Sequence, residues 1–281
     1  MNPVKVGDFK VGAGAGLAAI CGPCVIESEE LCLRVADTLA GIARRTGVNI
    51  VFKSSFLKDN RSSEKSFQGP GLDEGLRVLA KVRAASGLPV LSDVHDLSDV
   101  AAAGEVLDVV QVPAYLCQQT RLLLAVARTG KVVNVKKGQF MAPEDMEQAL
   151  GKLRRNGNDR ILLTERGSSF GYRNLVVDMR SIPKMKALGA PVVMDAGHAV
   201  RKYGVSSADA AGGEPEMIET LACAGVAAGA DAVFLETHPD PKTALCDAMS
   251  MLRLDTLEAI LRRLQAIRAA LLDAEAHAGA R

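Results

Sequence analysis

The 281-residue sequence has almost no net charge, because 34 Lys and Arg residues balance 33 Asp and Glu residues and leave a formal charge of +1. This balance gives no global electrostatic reason to expect a nucleic-acid or membrane partner, so any anion site must be local. The sequence also lacks a charged-then-apolar signal segment and any uninterrupted apolar run long enough to span a bilayer. We therefore expect a cytoplasmic protein.

Linkers and low-complexity stretches are missing too, while 48% of the residues are hydrophobic, which is enough for one large core. In a reducing compartment a cysteine is more often a free thiol, a metal ligand or a nucleophile than half of a structural disulfide. The six cysteines are Cys21, Cys24, Cys32, Cys117, Cys223 and Cys246.

Runs rich in Val, Ile, Leu and Ala alternate eight times with helical stretches. The strand-like runs are 17–24, 49–56, 89–95, 106–114, 132–138, 161–169, 190–198 and 231–239. This count predicts an α/β fold, a (β/α)₈ TIM barrel, as a single domain over 1–281 with an N-terminal extension (1–16) and a polar C-terminal tail (274–281). A doubly wound open sheet is the alternative, but no Gly-rich phosphate turn follows the first run.

Every predicted strand ends in polar side chains. They are Cys24, Lys53 with Ser55, Asp93 with His95, Gln111, Lys136, Arg166 with Ser168, His198, and Glu236 with His238. The carboxyl ends of barrel strands meet at one face, where such enzymes keep their chemistry.

Two kinds of site are expected at this face. Lys53, Lys136 and Arg166 directly follow buried runs, where an unpaired charge is costly, and this favours binding of one or two phosphorylated or carboxylated small molecules. One thiolate, one imidazole and two carboxylates can together bind a divalent metal ion. Those four candidate ligands are Cys24, His198, Glu236 and Asp247.

The segment CGPC (21–24) allows two interpretations: a redox dithiol, or a single thiolate presented by a Gly-Pro turn that ends the first strand. In the second interpretation Cys24 faces the pocket and Cys21 is a small buried apolar residue. The same role is expected of Cys32, Cys117, Cys223 and Cys246.

Several long motifs resemble the 3-deoxy-D-manno-octulosonate 8-phosphate synthases. They are FKSSFLKDNRSS (52–63), GPGLDEGL (69–76), QVPAYL (111–116), NVKKGQF (134–140), LTERGSSFGYRNLVVDMRSIP (163–183) and ETHPDPKTALCDA (236–248). The resemblance covers about residues 17–255 and implies a transferase. The implied reaction is condensation of phosphoenolpyruvate with D-arabinose 5-phosphate and water, an aldol-type step in lipopolysaccharide biosynthesis.

The same resemblance implies individual roles. The phosphoenolpyruvate site matches Lys53, Ser55, Gln111, Lys136 and Arg166. The arabinose 5-phosphate loop matches Lys58, Asn60, Arg61 and Ser62. The expected catalytic residues are Lys58, Asn60, Asp93, His95 and Asp247. Cys24, His198, Glu236 and Asp247 match the ligands of the metal-dependent branch, for zinc, iron, manganese or cobalt. A homotetramer is implied as well.

The sequence departs from the family pattern in three segments: the helix after the fourth strand, the end of the seventh strand, and the loop that follows it, RKYGVSSADAAGGEPE (201–216). Gln118 stands at a usual Arg, and we expect Arg121, one turn away, to replace it in sugar-phosphate binding. Gly197 and Ala199 replace two hydroxyl residues beside His198. The alternative functions are the related 3-deoxy-7-phosphoheptulonate synthase, which uses erythrose 4-phosphate, a phosphosugar-binding barrel without catalysis, and a CGPC redox protein.

Overall fold

A computed structural model describes residues 3–59, 64, 66–205 and 209–278. Within these residues, eight parallel strands alternate with helices and close into a barrel. The barrel strands are β3 (Ala18–Gly22), β4 (Asn49–Lys53), β5 (Val90–Asp93), β6 (Val109–Val112), β7 (Val132–Lys136), β8 (Ile161–Glu165), β11 (Val192–Asp195) and β12 (Ala232–His238). Each lies within one of the eight predicted runs, so the predicted barrel is confirmed.

All but the shortest of the helices that alternate with these strands cover the outside of the barrel. The helices are α1 (Glu29–Thr46), α2 (Leu72–Ser86), α3 (Leu97–Val106), α4 (Thr120–Arg128), α5 (Met146–Arg155), α6 (Ser181–Ala187), α7 (Ala196–Ala199), α8 (Ile218–Ala227) and α9 (Leu257–Ala278). Helix α1 shows how the sequence fixes such an element. It begins after Ser28, whose side chain accepts a hydrogen bond from the Leu31 amide, and ends at Gly47 in the left-handed conformation.

Alternate residues of each strand enter two different cores. Ile20 and Val51 point into the barrel, while Cys21 and Phe52 point outward into the layer between strands and helices. A hairpin of β1 (Val4–Val6) and β2 (Phe9–Val11) places its valines in the interior cluster and so covers the amino-terminal end of the barrel. At the opposite end, β4, β5 and β7 finish in Lys53, Asp93 and Lys136.

Barrel closure joins the two ends of the strand order. β12 pairs with β3 through Phe234 and Ile20, and with β11 through Phe234 and Asp195. Outside the barrel, β9 (Ser168–Phe170) and β10 (Asn174–Val176) form a hairpin, and β13 (Leu252–Arg253) extends the edge beside β12. No helix of the described part of the chain has both the length and the apolar character to cross a membrane.

Candidate active site

The four predicted metal ligands meet where the barrel closes. Glu236 lies in β12, Cys24 follows β3, and His198 lies just beyond β11, so the predicted adjacency of their strands is correct. Asp247 comes from the loop after β12, in a left-handed conformation with φ of 50°.

Donor atoms of these residues lie close together. The Cys24 thiol donates to Asp247 Oδ2 at 3.2 Å, and His198 Nε2 lies 3.9 Å from both Glu236 Oε2 and Asp247 Oδ2. Two sets of three, Cys24–Cys246–Asp247 and His198–Glu236–Asp247, each have ligand atoms within 4.8 Å of one another. Asp247 belongs to both sets, so together they form one candidate metal centre.

A second layer of charged groups orients these donors. Asp195 accepts from the His198 amide at 3.0 Å and lies 2.9 Å from its Nδ1, while Lys53 donates to Glu236 Oε1 at 2.5 Å. Burial lowers the pKa of His198 despite the neighbouring Asp195 carboxylate, which favours the neutral imidazole that metals bind. Burial alone would raise the pKa of Glu236, but Lys53 and His198 lower it and keep the carboxylate ionised.

Cys246 is a member of the centre that the sequence interpretation missed, because we treated this residue as a small buried apolar side chain. Its Sγ lies 3.1 Å from Cys24 Sγ. Burial, the hydrogen bond with Cys246 and the nearby carboxylates raise the pKa of Cys24. The available signal was its position directly before Asp247, a predicted ligand.

Small residues hold the loop that carries Cys246 and Asp247. A Cβ atom built on Gly197 would lie 2.6 Å from the Ser250 carbonyl oxygen, and one built on Gly213 would collide with the Met249 carbonyl oxygen. Glu27 accepts from the Leu245 amide at 3.0 Å on the other side. The loop backbone is therefore fixed against the loops that follow β3 and β11.

Beside the metal centre, six predicted residues surround one narrow cavity of about 50 Å³. They are Lys58, Asp93, Gln111, Lys136, Arg166 and His198. A larger surface concavity of about 580 Å³ lies outside the barrel against α5 and the end of α6, and its lining contains none of the predicted site residues. Size alone does not identify the site.

Asp93 is the centre of a buried polar cluster on one wall of this cavity. It accepts from Ser55 Oγ, lies 3.0 Å from His95 Nε2 and forms a 3.8 Å ion pair with Lys58. Burial opposes ionisation, yet Lys58 and His95 hold the pKa of Asp93 well below its ordinary value. Burial alone would lower the pKa of Lys58, but the Asp93 carboxylate and other nearby anionic groups raise it to well above its ordinary value.

The opposite wall contributes two further cations. Lys136 donates to Asp195 at 2.7 Å and lies 3.6 Å from the Phe234 ring centroid; burial lowers its pKa. Arg166 is 5% exposed, and its Nε and Nη1 have no hydrogen-bond partner among the described residues. A buried guanidinium with unused donors is suited to an anionic ligand.

Other predicted site residues are placed elsewhere or not described. Lys53 faces the metal centre through Glu236, and Arg121 is exposed in the first turn of α4, away from the cavity lining. Asn60, Arg61 and Ser62 lie outside the described residues. Their predicted roles stay predictions.

Cys21 and Cys24 belong to different clusters. Cys21 packs in the layer between strands and helices, whereas Cys24 packs with Val25, Cys246 and Met251. This separation favours the interpretation of CGPC as a turn that presents one thiol.

Comparison with known proteins identifies the family. Residues 2–273 match the model of the DAHP synthetase I family. The chain belongs to this family. A 2-dehydro-3-deoxyphosphooctonate aldolase of Trichlorobacter lovleyi is 54% identical over 264 residues, 94% of this chain and 97% of that protein.

Two further members of the DAHP synthetase I family carry the same name. The protein of Syntrophotalea carbinolica is 53% identical over 95% of this chain and 96% of its own length. That of Geobacter sp. (strain M21) is 52% identical over 94% and 96%. Since this name denotes the octulosonate 8-phosphate synthase activity, the predicted resemblance is confirmed.

Proposed function

We propose that this chain condenses phosphoenolpyruvate with D-arabinose 5-phosphate and water to give 3-deoxy-D-manno-octulosonate 8-phosphate and phosphate, a transferase reaction of lipopolysaccharide biosynthesis. One observation carries the proposal: Lys58, Lys136 and Arg166 converge with Asp93, which contacts His95, on a single cavity beside the candidate metal centre. The names of the relatives at more than half identity support the same reaction.

Cationic side chains hold the two anionic substrates together. Arg166 offers unused donors for the phosphate or carboxylate of phosphoenolpyruvate, and Lys136 adds positive charge nearby. Lys58, with Asn60, Arg61 and Ser62, binds the sugar phosphate. Fixing both substrates makes their encounter effectively unimolecular. This removes much of the entropic part of the activation free energy of the condensation.

The condensation then forms one carbon–carbon bond and one carbon–oxygen bond, from water to C2, and breaks the C2–O bond to phosphate. C3 of phosphoenolpyruvate attacks the sugar aldehyde, whose oxygen takes up a proton. Water adds at C2, and the C2–O bond to phosphate breaks to release inorganic phosphate. The Asp93–His95 pair accepts the proton that the attacking water loses.

The residues present fit a divalent metal ion, zinc, iron, manganese or cobalt, held by Cys24, His198, Glu236 and Asp247. Glu236 Oε2 is buried without a hydrogen-bond partner among the described residues, and it faces His198 Nε2 at 3.9 Å. A bound ion supplies Lewis acidity and a fixed position for an oxygen ligand. Lys53 keeps Glu236 ionised and oriented for this purpose.

We further propose that residues 1–281 act as one cytoplasmic catalytic domain, that its partners are the two small-molecule substrates, and that four copies associate. In a tetramer, Arg121 is available to a neighbouring copy because it is exposed on α4. Light scattering on the purified protein measures this assembly, and a monomer would contradict it.

The deciding experiment measures phosphoenolpyruvate consumption with arabinose 5-phosphate, erythrose 4-phosphate or ribose 5-phosphate, before and after chelation and metal add-back. We expect turnover with arabinose 5-phosphate that chelation abolishes and a divalent ion restores. Preference for erythrose 4-phosphate would instead favour the heptulosonate synthase, an alternative supported by the family description. Chelator-insensitive turnover would remove the metal from the proposal, and binding without turnover would contradict the enzyme.

A further inference from the structure

The thiol of Cys246 lies inside the proposed metal centre. Cys24 and Cys246 are 1% and 2% exposed, and their sulfur atoms are 3.1 Å apart. Cys24 also reaches Asp247 Oδ2 at 3.2 Å. The centre therefore presents two sulfur atoms and not one.

We infer that Cys246 is a second thiolate ligand of the metal ion, beside Cys24, and that the centre consequently prefers a thiophilic ion such as zinc. The inference rests on the proposed metal site and adds a ligand to it. Thiolates favour zinc and other soft or borderline ions over manganese or magnesium, which prefer oxygen ligands.

The spacing of the donor atoms agrees with this role. The ligand atoms of Cys24, Cys246 and Asp247 all lie within 4.8 Å of one another. With five ligands, two Zn–S bonds of about 2.3 Å at an angle of about 90–120° would place the sulfur atoms roughly 3.3–4.0 Å apart, so the thiols would need to part by less than about 1 Å. A side-chain rotation of this size needs no change in the barrel.

Nearby cations offset the negative charge that two thiolates bring. Arg201 Nη1 lies 2.6 Å from Asp247 Oδ1, and Lys53 Nζ lies 2.5 Å from Glu236 Oε1. Four anionic ligands become acceptable in a buried site when fixed cations accompany them.

A carboxylate oxygen of Glu236 indicates a bound metal ion independently of the thiols. Glu236 Oε2 is buried and has no hydrogen-bond partner among the described residues. Two other roles for Cys246 compete with this one: simple packing against Met251, and a disulfide with Cys24. Each predicts a different number of sulfur atoms around a bound metal.

The test counts those atoms. Protein kept under reductant is stripped of metal, reloaded with one equivalent of zinc, and examined by extended X-ray absorption fine structure. We expect two sulfur neighbours per zinc in the wild type, one in Cys246→Ser, one in Cys24→Ser, and two in the control Cys117→Ser, a buried cysteine that contacts Met141 instead. One sulfur per zinc in the wild type would overturn the inference.

Metal affinity gives a second readout. Competition with a chromophoric chelator should show zinc binding weakened at least about 10-fold in Cys246→Ser, with manganese binding changed less. Equal loss for both ions would contradict the thiolate role. If Cys246→Ser does not fold, the sulfur count of the wild type still decides.

The outcomes separate this inference from the function on which it rests. If zinc binds with a single sulfur neighbour, Cys246 is excluded as a ligand but the proposed four-residue metal site still stands. If the wild-type protein binds no zinc, both the proposed metal site and the role of Cys246 in it are excluded. Mass spectrometry of the protein kept under reductant gives a further check. An intact mass lower than that of the fully reduced chain by two hydrogen atoms would indicate a Cys24–Cys246 disulfide and would also overturn the inference.

Discussion

At the scale of single residues, Arg166 lowers the stability of the unliganded protein but provides hydrogen-bond donors for an anionic substrate. A buried guanidinium with unsatisfied Nε and Nη1 costs free energy in the unliganded protein. Arg166→Lys keeps the charge but loses the two-pronged donor geometry. We expect KM for phosphoenolpyruvate to rise about 10- to 100-fold, since a hydrogen bond to a charged group contributes about 1.5–3 kcal/mol.

Steady-state kinetics test this change beside Arg180→Lys, an exposed arginine paired with Asp178. The control should leave KM unchanged, because an exposed pair contributes little. An unchanged KM in Arg166→Lys would exclude a direct contact with the substrate.

Asp93 makes stability depend on pH. Its folded-state pKa lies well below the ordinary value, because Lys58 and His95 outweigh the effect of burial. The unfolded chain therefore takes up a proton first as the pH falls, so this contribution is present above about pH 4 and is lost below it.

Urea unfolding of Asp93→Asn measures this contribution. The variant should lose about 3 kcal/mol at pH 7, because Lys58 is left buried without its partner, and should then depend less on pH between 5 and 3 than the wild type. The control is Asp37→Asn, an exposed carboxylate on α1. A wild-type pH slope in Asp93→Asn would contradict the assignment.

At the scale of elements, Gly197 fits the loop after β12 to the loop after β11. Its missing side chain leaves room for the Ser250 carbonyl oxygen, which a Cβ atom would approach to 2.6 Å. Restoring the hydroxyl residue usual in the family, Gly197→Thr, should therefore cost about 1–3 kcal/mol and weaken metal binding.

Urea unfolding and zinc titration measure the two effects of Gly197→Thr. Gly16→Ala is the matched control, because a Cβ there meets nothing within 4 Å. A stable Gly197→Thr variant with unchanged zinc affinity would contradict the role given to this contact.

Elements were easier to predict from the sequence than contacts between loops. Strands buried on both faces are continuous apolar runs, so all eight were found. His198 was assigned to a strand end but lies in α7, because Asp195 caps a helical turn there, and apolar patterns do not separate so short a turn from a strand. The contact of Cys246 with Cys24 depends on the path of an irregular loop, which has no periodicity to read.

At the scale of the whole molecule, the metal centre joins both ends of the barrel's strand order. An ion that binds only the folded chain should raise the thermal stability of chelated protein. At 100 times Kd the gain is about 2.7 kcal/mol, or roughly 5 °C or more in Tm. Scanning calorimetry with added zinc checks this, and Cys24→Ala should show a smaller shift. No shift in the wild type would argue against a metal that binds the native state.

The barrel closes through β3 and β12, so residues from both ends of the chain form the candidate metal centre. This determines when the centre can form during synthesis. Cys24 and Cys246 are 222 positions apart. At about 5–20 residues per second, a ribosome exposes the first thiol roughly 10–45 s before the second. For most of that interval the imidazole of His198 and the carboxylates of Glu236 and Asp247 have not yet been synthesised, so Cys24 has none of these groups beside it. Binding of the proposed metal ion by the complete ligand set is thus expected only after Asp247 has been synthesised.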